Sequence, residues 1–157
     1  MFKIALARPD EAATVASMVK ALLEEIMAAS GARHFAADEE ALRARCHDFL
    51  RQGDYAAWLA WAGNEAAGVL TLTEVCTLYA GGAFGVIPEL YVVPGFRSQG
   101  VGAGLLAAAR EYGKLHGWTR LEVTTPPLPE FERTLRFYAA NGFEVTGGKK
   151  LKTMLTS

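Results

Sequence analysis

The sequence predicts an α+β fold: one domain spanning residues 1–157, with a mixed central sheet of about seven strands flanked by about four helices. Three observations support this prediction. The length of 157 residues suits one domain. Apolar residues recur with the period of strands in some segments and with the period of helices in others. The resulting order, β-α-α-β-β-β-α-β-α-β-β, combines hairpins with crossover helices, as in an α+β sheet.

The first half of the chain contains one strand, two helices and a hairpin. At the N-terminus, Phe2, Ile4 and Leu6 recur with the period of two that marks a half-buried strand. Asp10 suits the N-cap of a helix whose apolar residues follow at helical spacing. The pair Gly63-Asn64 is a hairpin signal. The predicted elements are a strand at 2–6, helices at 10–26 and 38–53, and strands at 55–62 and 66–75.

Glycine and proline separate the elements of the second half. Gly81-Gly82 precedes an apolar strand, and Gly117 follows a helix as a suitable C′ residue. Pro126-Pro127 enforces a loop before the last helix. Two short segments after that helix predict terminal strands. The predicted elements are a strand at 84–93, a helix at 101–116, a strand at 121–125, a helix at 130–141 and strands at 143–146 and 150–155.

Composition excludes several classes of protein. The formal net charge of −1 and the pI of about 6.3 give no overall positive field for nucleic acid or an anionic membrane. No run approaches the roughly 18 apolar residues of a membrane span, and the N-terminus has no secretory signal. Cys46 and Cys76 are too few and too far apart for a disulfide framework or a zinc site. We therefore expect a cytoplasmic protein with no metal, no nucleic-acid partner and no membrane association.

The stretch PELYVVPGFRSQGVGAGLL, residues 88–106, predicts a binding site for a phosphate or pyrophosphate. Glycines at a strand-to-helix turn let main-chain N–H groups converge, and the first helical turn adds N–H groups without intrahelical partners. Arg97 adds a positive charge, and no carboxylate within the turn competes with the anion. Glycines that merely permit a tight turn are the alternative interpretation. The strand, proline and helix around them favour the anion site.

Two familiar phosphate motifs do not fit. The dinucleotide fingerprint G-x-G-x-x-G begins at Gly100 and Gly102 but requires glycine where Leu105 stands. The phosphate loop G-x-x-x-x-G-K-[ST] fails at 142–148, because Gly148 and Lys149 replace its lysine and hydroxyl residue. An oxidoreductase that binds a dinucleotide is therefore disfavoured.

Two other motifs, RSQGVG at residues 97–102 and LRFYAANGF at residues 135–143, resemble those of the GNAT superfamily of N-acetyltransferases. The first fits the pattern Gln/Arg-x-x-Gly-x-Gly/Ala, and the second matches the family's FYxxxGF ending. Both lie at helix boundaries, in the family's order. The predicted elements are also similar to the family's core, so the resemblance covers nearly the whole chain.

The resemblance implies acetyl-CoA as cosubstrate, bound between the strand before Pro94 and the strand after the helix of Tyr138. Main-chain groups of Tyr91, Val92 and Val93 would pair with pantetheine as an added strand. Arg97 would flank the pyrophosphate. The pyrophosphate would be held by the amides of Ser98, Gln99, Gly100, Val101, Gly102 and Ala103.

Two side chains are candidates for catalysis. The family's matching tyrosine makes Tyr138 the general acid for the departing thiolate, although an aromatic core residue is the alternative. Glu89 interrupts an apolar strand and is a candidate base, with a solvated outward position equally open. His34 is a distant second choice as base. The family often has a cofactor-binding asparagine where this chain has Phe131.

The sequence thus predicts an N-acetyltransferase that moves an acetyl group from acetyl-CoA to a primary amine by direct attack. The alternative is a non-catalytic acyl-CoA-binding sensor or interaction module of the same fold. The acceptor would be a small-molecule or peptide amine, in a pocket built from the first two helices, the loop at 30–37 and the hairpin region at 77–84. Many members of the family are dimers, so a homodimer is possible. Carboxylates available for a cationic amine are Glu24, Glu25, Asp38, Glu39 and Glu40, although acidic residues on helices are more often a solvated face.

Overall fold

The computed structural model describes residues 1–31 and 38–155, and its elements follow the predicted order as far as the last helix. Short 3₁₀ turns at Pro9–Glu11 and Pro94–Phe96 precede two of the helices. The helices and strands are β1 Lys3–Leu6, α1 Ala12–Ser30, α2 Glu39–Gln52, β2 Tyr55–Ala62, β3 Glu65–Thr77, β4 Gly82–Ile87, β5 Leu90–Val92, α3 Val101–Leu115, β6 Leu121–Val123 and α4 Glu132–Ala140.

The predicted α+β class with a mixed sheet is confirmed. The sheet runs β1-β2-β3-β4-β6, and β5 pairs with β3 beside β4. All pairs are antiparallel except β4 with β6, which is parallel. The described residues contain six strands in this sheet rather than about seven. None of their helices is both long and apolar enough to cross a lipid bilayer.

Four predicted elements differ most from the structure. The strands expected at 143–146 and 150–155 do not form, since β6, the sheet's outermost strand, offers only three residues and its continuation reaches Pro126-Pro127, which cannot donate ladder hydrogen bonds. The single strand at 84–93 is divided into β4 and β5 at Pro88. The helix at 10–26 begins later, at Ala12. The Asp10 carboxylate accepts a hydrogen bond from Arg8 Nε (3.2 Å) instead of capping the helix.

Alternation along β3 places a hydrophobic core on each face of the sheet. Leu70 and Leu72 face α3, where Leu105 and Leu106 are fully buried. Val69 faces α1 and α2 on the other side, in a second core cluster. Successive strand residues point to opposite faces, so one apolar strand supplies both layers.

Candidate active site

Pro88 introduces a β-bulge between β4 and β5. Thr73 of β3 lies opposite Val86, whereas Leu70 lies opposite Leu90, so the β4–β5 segment carries one extra residue against β3. Proline lacks the N–H that a regular ladder would use here. The extra residue reverses the alternation of faces, as bulges do. Glu89 therefore lies on the α1–α2 face, opposite Thr71, instead of on the α3 face.

A cleft opens where the sheet divides beyond this bulge. The parallel pairing of β4 with β6 ends at Ile87 and Val123, after which β5 stays on β3 and 124–127 leads away. The resulting cavity has a volume of about 1190 Å³. Two predicted site residues, Val93 and Gln99, do not line it. The predicted site residues that line it are Glu89, Tyr91, Val92, Arg97, Ser98, Gly100, Val101, Gly102, Ala103 and Tyr138.

The strand that forms the far wall corrects one expectation. We expected the cleft to lie between the strand before Pro94 and a strand after the helix of Tyr138. No strand follows α4 in the described residues. Instead β6, which precedes α4, diverges from β4 and contributes Val123 to the cleft, followed by Thr124 and Thr125.

The turn before α3 presents a row of unpaired main-chain donors. The N–H of Arg97 donates to Pro94 O (3.3 Å), and the N–H of Gly104 donates to Gly100 O (3.0 Å). Between them, the N–H groups of residues 98–103 have no acceptor within the part of the chain that the structure describes. Ser98 and Gly100 both adopt positive φ, +62° and +88°. Consecutive N–H groups at such a turn and at a helix N-terminus form a concave anion site.

Gly102 has a packing role in addition to its unpaired N–H. A Cβ on Gly102 would lie 2.8 Å from Cζ of Phe137 on α4. That separation is well below van der Waals contact, so the absence of a side chain lets α3 and α4 approach each other. The glycine pattern that marks the turn therefore also fixes the helix that carries Tyr138.

Arg97 is already paired, which corrects the expectation that no carboxylate competes with the anion. Its guanidinium donates to both carboxylate oxygens of Glu25 on α1 (3.2 and 2.8 Å), and its Nε donates to Val92 O (2.8 Å). The hydrogen bonds to Glu25 raise the pKa of Arg97, so it stays charged. Arg97 thus connects the turn to α1 and β5 through hydrogen bonds. Because its charge is already paired, most of the positive potential available to an anion comes from the unpaired main-chain N–H groups.

The register of β5 decides which main-chain groups face the cleft. Val93 N–H donates to Ala67 O, and Glu89 O accepts from Thr71 N, both at 2.9 Å. Because ladder pairs alternate in an antiparallel sheet, the main chain of Tyr91 also faces β3. The groups directed away from β3 belong to Leu90 and Val92. Of the three residues predicted to pair with pantetheine, only Val92 thus has its main chain on the open edge, which it shares with Leu90.

Glu89 is held by two hydroxyl groups that the sequence analysis missed. Oε1 accepts from Tyr55 Oη at 2.6 Å and from the fully buried Thr71 Oγ1 in a short hydrogen bond. The Glu89 N–H in turn donates to Thr71 Oγ1 (3.0 Å). No donor to Oε2 lies within residues 1–31 and 38–155. The one signal in the sequence that could have indicated these contacts was Thr71, a polar residue inside the apolar run of β3.

Two neighbours of Glu89 remain protonated at neutral pH. Burial, with the Glu89 charge, raises the pKa of Cys46 to about 11. The pKa of Tyr55 is raised by burial and by the same carboxylate. Cys46 is therefore an inert thiol in the α1–α2 core, since a nucleophilic cysteine needs its thiolate form.

Tyr138 lies on the buried face of α4 with only 5% of its surface exposed. Its ring contacts those of Phe137 and Phe143, at centroid distances of 5.2 and 5.4 Å. Burial raises the pKa of Tyr138. In the described residues no buried side-chain oxygen lacks a partner, and nothing there bonds the Tyr138 hydroxyl, so that hydroxyl must reach the cleft.

Comparison with known proteins identifies the family. The model of the Acetyltransferase (GNAT) family matches residues 17–143. The chain belongs to the GNAT acetyltransferase family. Within residues 1–31 and 38–155, the His, Cys, Asp and Glu side chains form no group of three that could hold a metal ion.

The chain is also similar to individual GNAT proteins. An uncharacterized N-acetyltransferase of Bacillus subtilis (strain 168), YsnE, is 28% identical over 105 residues. The match covers 67% of this chain and 66% of YsnE, so the chain spans just under two thirds of the length of that relative. Three crystal structures share the fold. They are a probable acetyltransferase (TM-score 0.80, 20% identity, 99% of both chains), an aminoglycoside N-acetyltransferase in complex with CoA (0.80, 20%, 98% and 95%) and a predicted acetyltransferase from Clostridium acetobutylicum with acetyl-CoA (0.75, 17%, 98% and 96%).

The acceptor side of this GNAT cleft differs from expectation. Segment 77–84 does not line the cleft, and His34 lies outside the described residues. Four of the five candidate carboxylates have intramolecular partners. Glu25 pairs with Arg97, Glu39 lies 3.7 Å from Lys20, Glu40 pairs with Arg43, and Asp38 accepts from Ala41 N as the N-cap of α2.

Phe131 stands at the N-cap of α4 and lines the cleft. It has no side-chain oxygen or amide to cap the helix or to bind a ligand. An apolar contact thus replaces the polar group that GNAT proteins often have there.

Proposed function

We propose that this GNAT protein transfers an acetyl group from acetyl-CoA to a primary amine. The observation that carries the proposal is the row of unpaired N–H groups at 98–103, which opens into the same cleft as the free edge of β5. A diphosphate carries the charge and oxygens that these donors can satisfy. Pantetheine is extended and rich in amides, so the outward main-chain groups of Leu90 and the N–H of Val92, whose carbonyl already accepts from Arg97 Nε, suit it by strand addition.

The residues present therefore fit acetyl-CoA, which when bound supplies an acyl group on a thiol leaving group. The chain itself must bind the ammonium of the acceptor, remove its proton and supply a proton to sulfur. Glu89 suits the first two tasks because Oε1 is fixed by two hydroxyls while Oε2 has no donor among the described residues. Tyr138 suits the third because burial keeps its phenol protonated.

Calorimetry with acetyl-CoA, followed by a screen of amine classes for CoA thiol release, tests the proposal. We expect heat of binding and release of thiol with at least one amine class. Binding without release for any amine would support the non-catalytic acyl-CoA-binding module instead. No heat on addition of acetyl-CoA would reject both functions.

We expect Tyr55→Phe to lower kcat roughly five-fold, because the Glu89 carboxylate loses one of its two hydroxyl donors and with it a fixed orientation. KM for acetyl-CoA should not change, since Tyr55 does not line the cleft. Thr73→Val is the matched control: the Thr73 hydroxyl donates to Asp54 O rather than to Glu89 (3.1 Å). A KM effect equal to the kcat effect would show that Tyr55 does not act through Glu89.

A further inference from the structure

Among the described residues, the α1–α2 side of the cleft carries one cation that has no partner, while Arg133 and Lys150 line the cleft from α4 and from the segment after it. Arg45, on α2, lines the cleft with an exposed side chain, and no carboxylate pairs with it among the described residues. Segment 32–37, outside that set, contains no acidic residue. Arg45 also precedes Cys46, which lies in the core cluster on the α1–α2 face of the sheet, the face on which Glu89 lies. An unpaired guanidinium therefore lies on the same side of the cleft as the candidate base.

The rest of this wall of the cleft is formed by α1 and is mainly apolar. Helix α1 lines the cleft with three large side chains, Leu22, Leu23 and Ile26, and with Ala29. Its one cleft-lining carboxylate, Glu25, is neutralised by two hydrogen bonds from Arg97. A polycationic acceptor needs several unpaired carboxylates, whereas among the described residues that line this side of the cleft only Glu89 supplies one.

An unpaired guanidinium beside an apolar wall selects for an anionic, apolar ligand. Guanidinium groups bind carboxylates through two parallel hydrogen bonds, whereas a second cation in the acceptor would be repelled. Glu89 then remains available for the reacting amine itself. The wall therefore has a place for each of three groups: an amine, an apolar side chain and a carboxylate.

We propose that the acceptor is a small apolar amine that carries a carboxylate bound by Arg45, the chemistry of amino acids with apolar side chains. This inference rests on the proposed acetyl transfer. The acceptor nitrogen bonds to the acetyl carbon as the carbon–sulfur bond breaks, and the electron pair of that bond leaves with sulfur. Before the attack, the ammonium loses one proton to Glu89, which passes it to solvent. As the amide forms, the nitrogen loses a second proton to Glu89 and sulfur gains one from Tyr138, and proton transfer through solvent then restores both side chains.

Two matched pairs of amines test the acceptor class: leucine against 3-methylbutylamine, and phenylalanine against phenethylamine. Within each pair only the carboxylate differs. We expect kcat/KM, calculated for the free amine, to be roughly ten-fold higher for the carboxylate-bearing member, as for a charge-assisted contact. Arg45→Gln should abolish this preference, while Arg43→Gln, whose guanidinium pairs with Glu40, should retain it. Spermidine should be the poorest acceptor.

Binding of the acetylated product supplies a readout that needs no turnover. N-acetylleucine and N-acetylphenylalanine should bind the CoA complex more weakly in Arg45→Gln than in the wild type, as measured by calorimetry. Equal kcat/KM within both pairs, a preference for spermidine, or equal product binding by the two proteins would overturn the acceptor class and leave acetyl transfer standing. A larger effect of Arg45→Gln on acetyl-CoA affinity than on product affinity would assign Arg45 to the cosubstrate and overturn it too. Failure of acetyl-CoA itself to bind would overturn the transferase proposal.

Discussion

Tyr138→Phe is expected to lower kcat by roughly ten-fold or more while acetyl-CoA affinity stays within a few-fold. Phenylalanine keeps the ring contacts with Phe137 and Phe143 and removes only the hydroxyl that reaches the cleft. The loss should therefore fall on proton donation and not on packing. Steady-state kinetics with saturating amine, together with calorimetry of acetyl-CoA binding, measures the two effects separately.

The control is Tyr112→Phe. Tyr112 belongs to a separate aromatic group with Trp58 and Trp118 and does not line the cleft, so kcat should not change. Equal kcat for Tyr138→Phe and wild type across the pH range would remove Tyr138 from the mechanism.

The pH dependence of the wild type follows from the same burial. A raised pKa means that the phenol of Tyr138 keeps its proton to higher pH than an ordinary tyrosine, whose pKa is about 10. The donor form is therefore complete throughout the neutral range. Below about pH 10, the kcat profiles of the wild type and of Tyr138→Phe should therefore have the same shape. Neither should show an alkaline decline caused by loss of the Tyr138 proton.

Ala103→Pro is expected to weaken acetyl-CoA binding roughly ten-fold, with kcat at saturating cosubstrate little changed. Proline removes one N–H from the row at 98–103, the loss of a charge-assisted hydrogen bond to phosphate. The substitution is tolerable because Ala103 is exposed, lies in the first turn of α3 and makes no helical hydrogen bond with that N–H.

Ala103→Ser is the matched control, because it changes the side chain and retains the N–H. Calorimetry of acetyl-CoA binding and thermal unfolding of all three proteins measure affinity and folding together. Equal affinity of the proline variant and the wild type, with similar melting temperatures, would show that the main chain at α3 does not bind the diphosphate.

Local signals were sufficient to predict much of the fold and the position of the turn. The boundaries of α3 follow from Gly100 and Gly117, which act within a few residues of the helix ends. The motif around Tyr138 likewise includes its own packing partner, Phe143. Such features depend on neighbours in sequence, so a single chain reveals them.

The errors came from contacts between distant residues. Glu25 and Arg97 are 72 positions apart, and Tyr55 is 34 positions from Glu89. The direction of the β5 main chain depends on its register against β3, which the extra residue at Pro88 shifts by one. Similarly, the predicted terminal strands had suitable alternation, but the outermost described strand, β6, is too short to pair with them.

The bulge at Pro88 has a consequence for the thermodynamics of ligand capture. Since proline can donate no ladder hydrogen bond, the strands cannot continue their hydrogen-bonded pairing past this point in the free protein. The opening is thus built in during folding, and an incoming molecule need not pull two strands apart to enter. Such preorganisation lowers the entropic penalty of association. The association rate constant should therefore not depend on fluctuations that separate the strands.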